Sequence, residues 1–103
     1  MKRSKIPFFL SLALIALAGS ASAQTGTLQV RSMSASCSAC HGTNGNAAAG
    51  MVALAGYDKP SMIKAMADFK SGARPATIMH QLAKGYSDQQ IEAIAGYFAA
   101  QKP

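Results

Sequence analysis

Two cysteines separated by two residues, with a histidine directly after the second, are the feature that most constrains this chain. Cys37, Cys40 and His41 stand at positions i, i+3 and i+4. Residues at these spacings lie on one face of an α-helix. A helix through this segment therefore points two thiols and an imidazole towards the same object, and the rest of the chain must fold around it.

Three kinds of chemistry use a C-x-x-C pair. A thioredoxin-type redox site accompanies a βαβ pattern, but no segment here alternates with period two. A zinc site needs further Cys or His ligands, and only His80 remains for that role. C-x-x-C-H is the attachment motif of a c-type haem. It predicts one covalent haem c, bonded through Cys37 and Cys40, with the His41 imidazole as the proximal iron ligand.

Five methionines after the initiator are candidates for the opposite side of the iron: Met33, Met51, Met62, Met66 and Met79. Met62 and Met66 lie on the apolar stripe of a predicted helix, where core packing is a sufficient explanation. Met33 is too close to the cysteine motif to fold back across the haem. Met51 and Met79 remain.

Met79 is the favoured distal ligand because its distance along the chain lets it approach the opposite face of the haem. His80 is the competitor, as its direct neighbour. Met/His is the common cytochrome c pairing. When both axial positions are filled no substrate site is left, so we expect an electron carrier and no catalytic residue. The alternative to an electron carrier is a haem enzyme with an open distal site, such as a peroxidase or a gas binder.

The N-terminus has the organisation of an export signal. Three basic residues, Lys2, Arg3 and Lys5, precede an apolar stretch at 6–18 and small residues at 21–23. We expect a Sec-type signal peptide at 1–23, a domain at 24–103 and a periplasmic location. The apolar stretch is shorter than the roughly 20 residues that cross a bilayer, so no stable membrane insertion is expected after cleavage.

The charge of the expected mature chain is modest. Three of the ten Lys and Arg leave with the signal, so seven face four acids, a formal charge of +3. Nucleic-acid binding therefore has little support. A domain of this length buries little surface, and a large apolar cofactor would supply the missing core.

Periodicity predicts an all-α domain of about four short helices wrapped around one haem. The first runs over 28–40 and is followed by a loop at 42–50. The second begins near Asp58 and ends at 71–72, and the third runs from Pro75 to Gly85. The last helix has Ser87 as N-cap with Gln90 three residues on, the pattern of a capping box.

Residues 37–46 resemble the class I cytochromes c. The segments 68–72, 76–79, 83–87 and 95–98 are similar to the cytochrome subunit of flavocytochrome c sulfide dehydrogenase. The resemblance implies thioether bonds at Cys37 and Cys40, His41 as proximal ligand and Met79 as distal ligand. Relatives usually have a proline in the loop after the motif that helps to orient the proximal imidazole. Residues 47–51 contain none, so another backbone carbonyl must hold the His41 ring.

The resemblance also implies a partner, an FAD flavoprotein subunit that takes electrons from sulfide and passes them singly to the haem. The alternative is a freestanding carrier between a reductase complex and a terminal oxidase, serving other periplasmic redox proteins. Four basic residues then form a weak steering patch for acidic partners or merely solvated helix faces. They are Lys64, Lys70, Arg74 and Lys84.

Overall fold

The computed structural model describes residues 26–103, and the predicted signal peptide with its cleavage point lies outside them. This part of the chain contains four α-helices, a short 3₁₀-helix and no strand, which confirms the all-α prediction. Helix α1 covers 26–41, and the 3₁₀-helix Thr43–Gly45 follows it. Helices α2, α3 and α4 span Lys59–Ser71, Met79–Lys84 and Asp88–Ala99. None of the helices in 26–103 combines the length and apolar character that crossing a membrane requires.

The ends of α2 are set by local side-chain chemistry. The Asp58 carboxylate accepts hydrogen bonds from the Ser61 N–H at 3.0 Å and the Ser61 hydroxyl at 2.7 Å. Such an N-cap satisfies N–H groups that have no partner inside the helix. At the other end Gly72 adopts φ 85°, and its N–H donates to the Phe69 carbonyl. The predicted start and end of α2 are confirmed.

Helix α4 begins with the predicted capping box. The Ser87 hydroxyl accepts from the Gln90 N–H at 3.2 Å, and the Gln90 side chain accepts from the Ser87 N–H at 2.9 Å. Asp88 lies in the first turn, where the helix dipole favours a negative charge. The start of α4 is therefore fixed by three sequence signals within four residues.

The third helix is shorter than predicted, because it begins at Met79 and not at Pro75. The Arg74 N–H still donates to the Asp68 carbonyl of α2 at 3.1 Å, so the backbone stays bound to the end of α2 as far as Arg74. The residue before α3, Ile78, makes no side-chain cap. Residues 75–78 thus form a non-helical connection, and Gly85 ends the helix as predicted.

The core lies where α1, α2 and α4 meet. Helix α2 packs against both α3 and α4. The buried cluster comprises Met62, Ile94, Ala95 and Phe98. Met33 and Cys37 of α1 pack against it, so the cysteine motif begins on the core itself. Phe98 is completely buried and is the largest side chain in that state.

The loop between α1 and α2 is fastened to α4 at several points. The Gly45 carbonyl accepts from the Leu54 and Ala55 N–H groups at 2.9 and 3.1 Å, which closes residues 45–55 into a ring. The Gly56 N–H donates to the Phe98 carbonyl at 2.9 Å. The loop consequently has a fixed path past the end of α1.

Candidate functional site

Helix α1 presents the two cysteines in different environments. Cys37 is half-buried against the core, whereas Cys40 is exposed, and both are free thiols. Burial raises the pKa of the Cys37 thiol, and a hydrogen bond with Ser36 offsets part of this effect. Because the thiolate is the reactive form, this raised pKa makes the Cys37 thiol less readily ionised than a fully exposed cysteine.

The His41 ring is oriented by a backbone carbonyl. Its Nδ1 lies 2.7 Å from the carbonyl oxygen of Val52. A carbonyl only accepts, so Nδ1 carries the proton and Nε2 keeps its lone pair. This second contact of the ring fixes which nitrogen is available to a metal. The Val52 carbonyl is thus the group that the sequence predicted in place of the missing proline.

The three donors of α1 suit an extended group better than a single ion. Among residues 26–103, no three His, Cys, Asp or Glu side chains come together as a metal site made only of protein would require. The thiols and the imidazole share one helix face without converging. A porphyrin matches this arrangement, because its edge takes the thiols and its central iron takes the imidazole.

Met79 is the first residue of α3 and is half-buried. Met62 is 6% exposed in the core and Met66 packs against it, in agreement with the packing role predicted for these two, and Met33 packs there as well. Met79 is not part of this core cluster. It is therefore a methionine that core packing does not explain.

Apolar side chains that stay exposed flank the candidate ligands. Val52, whose carbonyl holds His41, is 60% exposed, and Ile78, directly before Met79, is 56% exposed. Met51, the alternative ligand, is 47% exposed. A haem held by these ligands would find exposed apolar side chains next to each of them. The residues present therefore fit a haem.

His80 is half-buried, and its Nδ1 is a buried atom without a hydrogen-bond partner in the described part of the chain. A buried polar atom usually has a partner, so this nitrogen marks a place where a further group is expected. The sequence identified His80 only as a competitor of Met79.

Sequence reasoning missed two hydroxyl contacts around the motif. The Tyr86 hydroxyl and the Ser36 hydroxyl lie 2.8 Å apart, which ties α1 beside Cys37 to the segment before α4. The Tyr97 hydroxyl donates to the Asn44 side chain at 2.9 Å. Both tyrosines fall within the segments that carried the resemblance, but their partners are far away in sequence and no local pattern identifies them.

Two thiols and an oriented imidazole on one helix of a helical domain are the features of a protein with a covalently attached haem. The chain belongs to the cytochrome c family, whose model matches residues 30–102. Its cofactor is haem c, and it is an electron-transfer protein that is not catalytic by itself.

Three relatives indicate the range of functions in this group. The cytochrome subunit of sulfide dehydrogenase from Chlorobaculum tepidum is 41% identical over 66 residues, 64% of this chain and 60% of the relative. Cytochrome c4 from Pseudomonas aeruginosa is 38% identical over 92 residues, which cover 88% of this chain and 46% of the relative. The thiosulfate dehydrogenase electron acceptor from Stutzerimonas stutzeri is 42% identical over 66 residues, which cover 62% of this chain and 31% of the relative. This chain thus spans between 31% and 60% of the length of these relatives.

Proposed function

We propose that the chain is an exported periplasmic carrier of single electrons, with thioether bonds from Cys37 and Cys40 and with His41 and Met79 as the axial iron ligands. The donor is an FAD flavoprotein that oxidises sulfide. The hydrogen bond between His41 and the Val52 carbonyl is the observation that carries the proposal, because it leaves Nε2 as the only nitrogen of the ring that can bind iron.

The hydrogen bond to the Val52 carbonyl also affects how His41 acts as an iron ligand. A carbonyl that accepts from Nδ1–H makes the opposite nitrogen a stronger ligand and prevents rotation of the ring. The haem supplies a one-electron ferric–ferrous couple when it is bound. The hydrogen bonds that close residues 45–55 hold the Val52 carbonyl in place. The imidazole therefore keeps its orientation in both oxidation states.

Met79 is proposed as the distal ligand for a structural reason in addition to its place in the sequence. It begins α3 after the non-helical connection 75–78, outside the core cluster, whereas Met33, Met62 and Met66 are engaged in packing. A thioether ligand favours ferrous iron and raises the reduction potential relative to two imidazoles. This role suits an acceptor of electrons.

Visible spectroscopy tests the ligands on protein matured in a host that attaches haem. We expect a low-spin c-type spectrum with the weak far-red band of sulfur bound to ferric iron. Met79→Ala should abolish that band, admit carbon monoxide and lower the potential, while covalent attachment persists. Met51→Ala is the matched control and should change none of these properties. Loss of the band in Met51→Ala, and not in Met79→Ala, would refute the assignment, and a low-spin spectrum without the band would point to His80.

The export proposal rests on the pattern at 1–23, with residues 24–103 as the mature cytochrome c domain. Mass spectrometry of the matured protein tests the proposal. A chain that starts at Gln24 and carries one haem supports it, and one that starts at Met1 contradicts it.

The partner proposal is supported by the 41% identical relative, which is named as a sulfide dehydrogenase subunit. A freestanding carrier is the second candidate, favoured by the match to cytochrome c4 over 88% of this chain. Mixing the purified cytochrome with the flavoprotein subunit separates the two. A stable complex with sulfide-dependent haem reduction supports the first, whereas fast reduction by several donors without a complex supports the second.

A further inference from the structure

A pocket of about 260 Å³ lies at the corner between α2 and α3. Its walls come from the end of α2, from the connection that follows it, and from one side of α3. Phe69, Pro75 and Ala76 make its apolar part. Its polar part is made by Lys70, Ser71, Arg74, His80 and Lys84, and no acidic residue is among its lining residues in the described part of the chain.

Two of the cations in this pocket have no ion-pair partner in residues 26–103. Lys70 is engaged with Asp88 at 3.0 Å, and outside the pocket Lys64 is engaged with Asp68 at 2.7 Å. Arg74 and Lys84 form no such pair. The Arg74 guanidinium is held over the Phe69 ring at 5.3 Å from its centre, so it is positioned on the wall of the pocket before any ligand arrives.

Two backbone carbonyls at the end of α2 already accept hydrogen bonds. The Phe69 carbonyl accepts from the Gly72 N–H, and the Asp68 carbonyl accepts from the Arg74 N–H and the Ser71 hydroxyl. Helix ends otherwise expose carbonyls that attract cations. These two carbonyls are therefore engaged within the protein, the charged side chains that line the pocket are hydrogen-bond donors, and the Nδ1 of His80 lacks a partner.

We infer that this pocket binds a small tetrahedral oxyanion of the phosphate or sulfate class. The guanidinium of Arg74 offers the planar pair of N–H donors that suits two oxygens of one anion, and Lys84 adds a point charge. The volume lies below the roughly 300–1,000 Å³ of pockets that take drug-sized ligands, so the ligand is small. The basic patch expected from the sequence thus reduces to two free cations around one concave site.

The inference does not depend on which residue is the distal ligand or on the identity of the electron donor. It concerns a site beside the haem segment α3, with its own ligand. It therefore stands or falls on binding measurements with the ferrous holoprotein.

The test is a titration of the ferrous, haem-loaded protein with inorganic phosphate, followed by amide NMR shifts at constant ionic strength. We expect saturable shifts confined to Gly72, Arg74, Ala76 and Lys84. Arg74→Gln and Lys84→Gln should each weaken binding by roughly tenfold, the loss expected for one charge-assisted hydrogen bond. Arg74→Lys should recover only part of the affinity, because lysine keeps the charge without the paired donors.

Lys64→Gln is the matched control. This substitution also removes one positive charge, but Lys64 lies on α2, is engaged with Asp68 and does not line the pocket. Its phosphate affinity should equal that of the wild type. Equal weakening in Lys64→Gln and Arg74→Gln would overturn the inference, because general surface charge would then explain the binding.

Two further results would overturn the inference. Absence of saturable shifts would show that the pocket takes no external oxyanion, whether because it stays empty or because a haem propionate already fills it. Acetate that binds as tightly as phosphate would exclude a site for the tetrahedral class. Sulfate should bind comparably to phosphate, since the two ions share shape and donors.

Discussion

Gly45→Ala should destabilise the protein through two separable effects. Gly45 is buried with φ 79°, a left-handed conformation that costs a residue with a side chain about 1–2 kcal/mol. A Cβ placed there would lie 2.6 Å from the Ala55 nitrogen and 2.9 Å from both Leu54 Cβ and Phe98 Cδ1. Overpacking of this kind costs typically another 1–3 kcal/mol. Denaturant unfolding of the holoprotein should therefore show a loss of about 2–5 kcal/mol.

Gly72→Ala is the control that separates the two effects. Gly72 has nearly the same backbone angle, φ 85°, but a Cβ there meets nothing within 4 Å. It should lose only the conformational part, about 1–2 kcal/mol. The difference between the variants measures the clash against the core. Equal losses would refute the close packing of the loop on Phe98.

Phe98→Ala should cost about 3–5 kcal/mol in the same assay, because it removes the largest completely buried side chain, whereas Glu92→Ala on the exposed face of α4 should stay near wild type. Similar losses in both would contradict the assigned core. Hydrogen bonds from Ser61 lower the pKa of Asp58, its side chain first and its N–H second. The stabilising contribution of that carboxylate is therefore complete above its ordinary pKa and is lost as pH falls through the lowered value. The thermal midpoint should fall more steeply in acid for the wild type than for Asp58→Asn, and parallel curves would contradict the capping role.

The parts of the fold that sequence could predict are those with local causes. The capping box of Ser87 and Gln90 and the left-handed Gly72 were both readable, because their partners lie within three residues. The start of α3 was wrong by four residues. Proline is compatible with a first helical turn, but the Arg74 N–H is engaged with α2, and that contact spans six residues.

The haem motif was readable for a related reason, since its three side chains share one turn of helix. The partner of His41 was predicted only as a kind of group, a backbone carbonyl. Its identity depends on how the loop folds back, and residues 47–51 are mostly alanine without a distinctive local signal. Pattern reasoning stops where a contact is made by backbone atoms eleven residues away.

The position of that carbonyl depends in turn on α4. The Gly45 carbonyl closes the ring that contains Val52, and Gly45 lies against Phe98. The Gly56 N–H is held by the Phe98 carbonyl, and Asn44 is held by Tyr97. The helix with the clearest sequence signals thus supports the loop with the weakest ones. A change at Phe98 should therefore reach the His41 ring through the loop, although Phe98 and the imidazole belong to different elements.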